Sequence, residues 1–183
     1  MNKFLVSSLI ITSFILGIMF GYYMNPEYAN LKSIATHDDL GAVDRYTDLR
    51  FINGMISHHQ SAIYMLQQVL QNSDKQELHQ LAKTIIELDT KGIQELYHLK
   101  KQIYSDQRLI KRFNAIKLGD KDKNFDLRFL NAMINHHEEA IKVSRDLMTK
   151  SFNTELLQLA NDVSTLLSEN LITLKEWRRQ WYP

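Results

Sequence analysis

Residues 48–59 read DLRFINGMISHH, and residues 126–137 read DLRFLNAMINHH. The second phrase begins 78 positions after the first, and only Ile52/Leu130, Gly54/Ala132 and Ser57/Asn135 differ. A repeat of this kind defines the architecture before any other feature does. It also holds six side chains that bind soft and borderline metals in fixed register: Met55, His58, His59 and Met133, His136, His137.

Working outward, both phrases open stretches with a helical period. Leu49, Ile52, Ile56, His59, Ile63, Leu66 and Leu70 step by three and four, as do Leu127, Leu130, Ile134, His137, Ile141, Ser144 and Met148. A neighbouring stripe carries the other His of each pair: Phe51, Met55, His58, Ala62, Met65 and Val69, against Phe129, Met133, His136, Ala140, Val143 and Leu147. Each His helix is followed by a partner. Asp74 with Glu77 predicts the capped start of a helix that runs to about Tyr104. Ser151 or Asn153 opens the last one, which runs through Leu156, Leu159, Val163, Leu167, Leu171 and Leu174 toward Trp177.

The soluble part therefore reads as two helical hairpins, 44–104 and 125–181, joined by a charged segment at 105–124. Neither hairpin buries its apolar face alone, so the expected fold is all-α, an antiparallel four-helix bundle over 44–182. The spacing leaves two routes for 105–124, a simple loop or a crossover along the bundle.

Composition agrees with helices. The 183 residues include two Pro, at Pro26 and Pro183, and only six Gly. Lys and Arg number 22 against 21 Asp and Glu, dispersed along the chain, which argues against a nucleic-acid partner. There is no Cys, so disulfides, thiolate ligands and Cys nucleophiles are excluded.

Residues 4–24, FLVSSLIITSFILGIMFGYYM, carry no charge. At ~1.5 Å rise per residue such a segment crosses a hydrocarbon core. Lys3 precedes it and Glu27 follows it, a bias that keeps the N-terminus in the cytoplasm. The expectation is a signal anchor in the cytoplasmic membrane, contacting the lipid bilayer through 4–24, with residues 25–43 as linker and the bundle on the extracytoplasmic, periplasmic side. Cleavage as a signal peptide would instead give a secreted protein.

On a helix, Met55 lies three residues before His58 and four before His59, so its thioether shares a face with either imidazole. Adjacent residues are ~100° apart, so one His of a pair faces inward and the other a seam between helices. Imidazole suits copper, zinc, iron or nickel, and thioether favours Cu(I). Without thiolates, His plus Met points to a copper ion ahead of zinc or iron. The candidate metal ligands are His58, His59, His136, His137, Met55, Met133 and Met65.

The elements DLRFINGMISHHQSAIYM (48–65) and DLRFLNAMINHHEEAIKV (126–143) resemble the signature of the domain-of-unknown-function 305 family: an Asp, a Phe, then Met-x-x-His-His-x-x-Ala-x-x-Met. The resemblance covers about 44–182, twice over. It implies a ferritin-like helical bundle, commonly exported, with some members linked to copper binding and copper tolerance. It marks Asp48, Phe51, Met55, His58, His59, Ala62 and Met65, then Asp126, Phe129, Met133, His136, His137 and Ala140. Val143 stands where the closing Met belongs in the second copy. The family's partner helix often carries a Gln and a Glu before Ile-x-x-Met-x-x-Trp. Here those helices read Asp89, Gly92, Ile93 and Leu96, then Leu167, Asn170, Leu171, Leu174 and Trp177, which implies either a weaker site or one confined to the two His helices.

Two other functions compete with copper sequestration or delivery. A di-iron carboxylate oxidase or iron store needs Glu on two helices and Glu-x-x-His on two more, and only Glu95 with His98 has that spacing. A metal-free helical interaction module would use the His only for hydrogen bonds across the core. No nucleophile–base pair or phosphate-binding Gly loop appears, so no enzymatic activity is expected. Nothing in the chain specifies a protein partner, and a homo-oligomer stays open. Asp48, Arg50, Asp126 and Arg128 read as caps or salt bridges at the helix starts.

Overall fold

Both apolar stripes close into long helices, and each Met-x-x-His-His element lies near the middle of one. The computed structural model describes residues 39–183; the apolar segment 4–24 and the linker before Asp39 lie outside them. Helix α1 spans Thr47–Asn72, α2 Gln76–Tyr104, α3 Phe125–Lys150 and α4 Thr154–Trp181. Among the described residues there is no strand, and no helix is long and apolar enough to cross a membrane.

Three-residue turns, 73–75 and 151–153, fold α2 back on α1 and α4 back on α3. The Asn153 side chain caps α4, accepting from the backbone N–H of Glu155 and of Leu156 at 3.1 Å each. Asp74 does not cap α2. That helix starts at Gln76 behind an extended Lys75, with no side-chain cap. The Asp74 carboxylate instead takes Lys121 at 2.5 Å, and Ser73 Oγ holds the Lys75 N–H at 3.1 Å.

The repeat extends further toward the N-terminus than its most similar phrase. Leu40-Gly41 and Leu118-Gly119 are equivalent, and both Gly adopt positive φ, +72° and +81°. In each copy an Arg gathers this lead-in onto its helix. Arg50 donates to the Leu40 carbonyl at 2.7 Å and the Ala42 carbonyl at 2.6 Å, and pairs with Asp44 at 2.8 Å. Arg128 does the same with the Leu118 carbonyl at 2.5 Å, the Asp120 carbonyl at 2.8 Å and Asp122 at 2.9 Å. So the expected salt bridges at the helix starts come from the Arg side chains. Asp48 and Asp126 each leave a buried Oδ1 without a hydrogen-bond partner.

The 105–124 segment is a crossover. It leaves α2 beside the start of α1, where the Tyr104 hydroxyl meets the Arg45 carbonyl at 3.4 Å. It then runs along α1: Gln60 donates to the Ile110 carbonyl (3.1 Å), Ser61 to Asn114 (2.6 Å) and Gln68 to Ile116 (2.9 Å). The Gln68 amide oxygen in turn accepts the Leu118 N–H at 2.8 Å. At its origin the buried Lys100 ammonium donates to the Arg108 carbonyl at 2.7 Å and faces Asp106 at 3.4 Å.

This route sets α3 antiparallel to α1. One core cluster joins the first half of α1 (Leu49, Phe51, Ile52, Met55) to the second half of α3 (Ala140, Leu147). The other joins the second half of α1 (Ala62, Met65, Leu66, Val69) to the first half of α3 (Phe125, Phe129, Leu130, Met133). The repeats are thus related by a pseudo-two-fold axis, and the His residues fall between the two clusters.

Candidate metal centre

At the level where α1 crosses α3, the four imidazoles come together. The His58 and His136 rings stack, with centroids 3.5 Å apart and planes at 27°. His59 and His137 flank this stack, their ring centroids 6.3 and 6.4 Å from those of their neighbours in sequence. Within each pair one ring faces the α1–α3 contact, as the ~100° step between adjacent residues demands.

His58 Nε2 lies 2.9 Å from the His136 carbonyl oxygen, which can only accept. The proton therefore sits on Nε2 and the Nδ1 lone pair is free. His59 turns toward α2, where its Nδ1 donates to Asp89 Oδ1 at 3.0 Å. Nε2 is the ring nitrogen turned away from that contact. A Cβ at Gly92 would come within 3.3 Å of this nitrogen, so glycine gives the ring its place against α2.

The second pair is treated differently. His136 and His137 are 4% and 3% exposed, and none of their four ring nitrogens has a hydrogen-bond partner. Leaving a buried donor or acceptor unmade costs about 1–3 kcal/mol per group. The residue equivalent to Asp89 in the second copy is Leu167, which explains why His137 lacks the partner that His59 has. Burial holds these rings neutral. The His58 pKa falls to about 4, mainly through desolvation, with His59 adding to the effect. Desolvation likewise takes His137 to about 4 and drives His136 well below the usual histidine range.

The thioethers are buried but do not share one place. Met55 belongs to one core cluster, while Met65 and Met133 belong to the other. Val143, in the position of the missing fourth Met, packs against the cluster that holds Met55. The seven candidate ligands thus form a band: four imidazoles at the middle, one thioether to one side and two to the other. Among the described residues, no three His, Asp or Glu side chains already converge around one point. The donor chemistry nevertheless fits a soft or borderline ion, since neutral imidazoles with unused lone pairs are what such an ion requires.

The carboxylates are placed elsewhere. His98 is exposed and Glu95 only partly buried, while Glu138 pairs with Lys175 at 2.6 Å on the outside of the bundle. Asp89 is the neighbour of the His cluster to which the sequence alone assigned no role. Its signal was the spacing of Asp89 and Gly92, one turn apart on one face of α2.

Two segments, residues 21–100 and 107–178, match the family model described as Domain of unknown function (DUF305). The chain belongs to the DUF305 family. Its fold is similar to that of CopM in the Cu(I)-bound form, at 31% identity and TM-score 0.67, over 76% of this chain and 100% of that one. CopM in the Cu(II)-bound form matches at 29% identity and TM-score 0.65, over 74% and 97% of the two chains. The apo form of CopM matches at 31% identity and TM-score 0.66, over 74% and 98%. No curated protein matches. Like its two family segments, this DUF305 chain carries one His pair in each half, and the fold brings the two pairs to one level.

Proposed function

We propose that this chain is a membrane-tethered, extracytoplasmic copper-binding protein that sequesters the ion or hands it on, using His58, His59, His136 and His137 with Met55, Met65 and Met133. The observation that carries this reading is the set of four buried ring nitrogens on His136 and His137 that nothing in the protein satisfies. In the neutral rings one nitrogen of each His carries a lone pair that a bound ion would engage, and the similar CopM fold has been solved with Cu(I), Ag and Cu(II). The His58–His136 stack points no shared set of lone pairs at one centre, so binding would be accompanied by rotation of the rings. A thioether-containing set favours Cu(I) over Zn(II). Asp89 would act on the ion through His59, fixing its tautomer and orientation as outer partners of ligating His do.

Equilibrium dialysis of residues 26–183 against Cu(I), Cu(II), Zn(II) and Fe(II), read by elemental analysis, tests the reading. Copper should be retained stoichiometrically, and changing all four His to Ala should abolish retention. His79→Ala should not, because that ring only donates its Nε2–H to the Ser73 carbonyl of the α1–α2 turn, at 2.8 Å. Two irons per chain would favour the carboxylate oxidase, and no metal at all would leave the interaction module. The tether is tested separately: protease added outside spheroplasts should digest the bundle, whereas protection equal to that of a cytosolic marker would refute it.

A further inference from the structure

The pseudo-two-fold axis makes the two ends of the bundle comparable position by position, and one set of equivalent surface residues changes character between them. At the end where α1 finishes, Lys121 and Asp74 form an ion pair at 2.5 Å, and Asn124 follows three residues after Lys121. At the other end, where the chain enters the bundle at Leu40, the equivalent residues are Val43, Phe152 and Tyr46. The polar set has become apolar and aromatic, without being buried: Phe152 is 93% and Val43 59% exposed. The lead-in is bound beside the α3–α4 turn that carries Phe152, since Lys150 donates to the Gly41 carbonyl at 2.7 Å and the Leu40 N–H to Asp146 at 2.7 Å. Arg45 lies over the Tyr46 ring, 4.7 Å from its centroid, so a cation and an aromatic ring stand next to the apolar pair.

A single exposed hydrophobic residue needs no explanation. An apolar pair in the place of an ion pair, at one end only, does. This is also the end from which the chain runs back to the uncharged segment 4–24. Residues 40–42 are already held against the bundle, so residues 25–39 between it and that segment span at most about 3.5 Å each, on the order of 50 Å. Aromatic rings with apolar and basic neighbours suit the headgroup zone of a bilayer.

We infer that the Val43/Phe152 end of the bundle docks on the lipid surface, with Phe152 entering the interfacial zone and Tyr46 and Arg45 at its edge. The inference rests on the proposed membrane tether. It gives the bundle one orientation, upright on its entry end. From Thr47 to His58 at ~1.5 Å per residue, the His level then stands on the order of 17 Å along α1 from the docked end.

The absence of Cys allows a clean experiment. The full chain, as Phe152→Cys or Asp74→Cys, is labelled with an environment-sensitive fluorophore and reconstituted into phosphatidylcholine–phosphatidylglycerol vesicles. Both positions are exposed, and losing the surface pair at Asp74 costs little. Lipids with a nitroxide at the headgroup should quench the label at 152 several-fold more than the label at 74. Equal quenching in chains that float with the vesicles overturns the docking and leaves the tether standing. A label at 152 that is shielded from water yet not quenched means that a second copy of the chain covers this end, which also overturns it. Chains that do not float with the vesicles remove the tether, and the docking with it.

Discussion

His58 and His136 stand 78 residues apart in sequence and stack at 3.5 Å in the core. Burial keeps both rings neutral, and two imidazolium charges at that distance in a poorly solvated interior would repel strongly. One hydrogen bond, from His58 Nε2 to the His136 carbonyl, fixes the tautomer of the first ring and leaves the second unconstrained.

The metal-free bundle should therefore lose stability in mild acid. His58 and His137 have pKa values of about 4 in the fold, and His136 is well below the ordinary 6.5. Unfolded His binds protons from about pH 6.5 downward, so in this range the unfolded state holds more protons and falling pH favours it. Stability is full above 6.5 and declines between about 6.5 and 4, by up to ~1.4 kcal/mol per pH unit for each such His. Thermal midpoints measured across pH 8 to 4 should be flat at first and then fall, and His137→Phe should make that fall shallower. A midpoint that is unchanged down to pH 4 would contradict the neutral cluster.

Asp89→Leu copies into the first repeat the residue that the second already has at Leu167. His59 then loses its acceptor at 3.0 Å. Copper affinity should drop by roughly 10–100-fold, the usual effect of removing an outer partner of a ligating His. Competition dialysis reads this loss, and a circular dichroism spectrum unchanged from that of the parent chain shows that the helices persist. An affinity equal to that of the parent chain would mean that His59 is not a ligand.

Gly92→Ala separates binding from folding. A mid-helix Gly costs about 0.5–1 kcal/mol relative to Ala. The new Cβ, however, meets His59 Nε2 at 3.3 Å and presses on the ring held by Asp89. The two effects oppose each other in stability, so the thermal midpoint should move by only a few degrees. Copper retention should fall, because the crowded atom is the ring nitrogen that Asp89 leaves open to an ion.

Gln68→Ala tests the crossover. Gln68 holds both the Ile116 carbonyl and the Leu118 N–H. Losing two partly buried hydrogen bonds should cost about 1–3 kcal/mol in urea unfolding, with copper retention intact. A neutral outcome would show that the segment is held by its apolar residues alone.

The helices were legible because the apolar stripes at 49–70 and 127–148 have one period, and the repeat stated them twice. The hairpins followed from turns too short for any other path. The direction of 105–124 was not legible. It depends on Gln60, Ser61 and Gln68, polar residues on an otherwise ordinary helix face whose backbone partners lie about 50 residues away. Asp74 was misread for a related reason, since an Asp before a helix looks like a cap whether or not a lysine elsewhere claims it. At the site, the Met-x-x-His-His spacing gave the imidazoles, but it could not show that Met55 and Met133 fall in different clusters. Nor could it show which His would find a partner, because Asp89 reaches His59 from another helix.

The crossover along α1 has an evolutionary consequence. Two separate copies of one hairpin, related by a true two-fold axis, could make the same His stack as a homodimer, but position 89 and its mate would then always be identical. Joining the copies in one polypeptide lets each half drift on its own. In such a fused chain one His of the flanking pair keeps a carboxylate partner while the residue equivalent to that carboxylate in the other half has become a leucine.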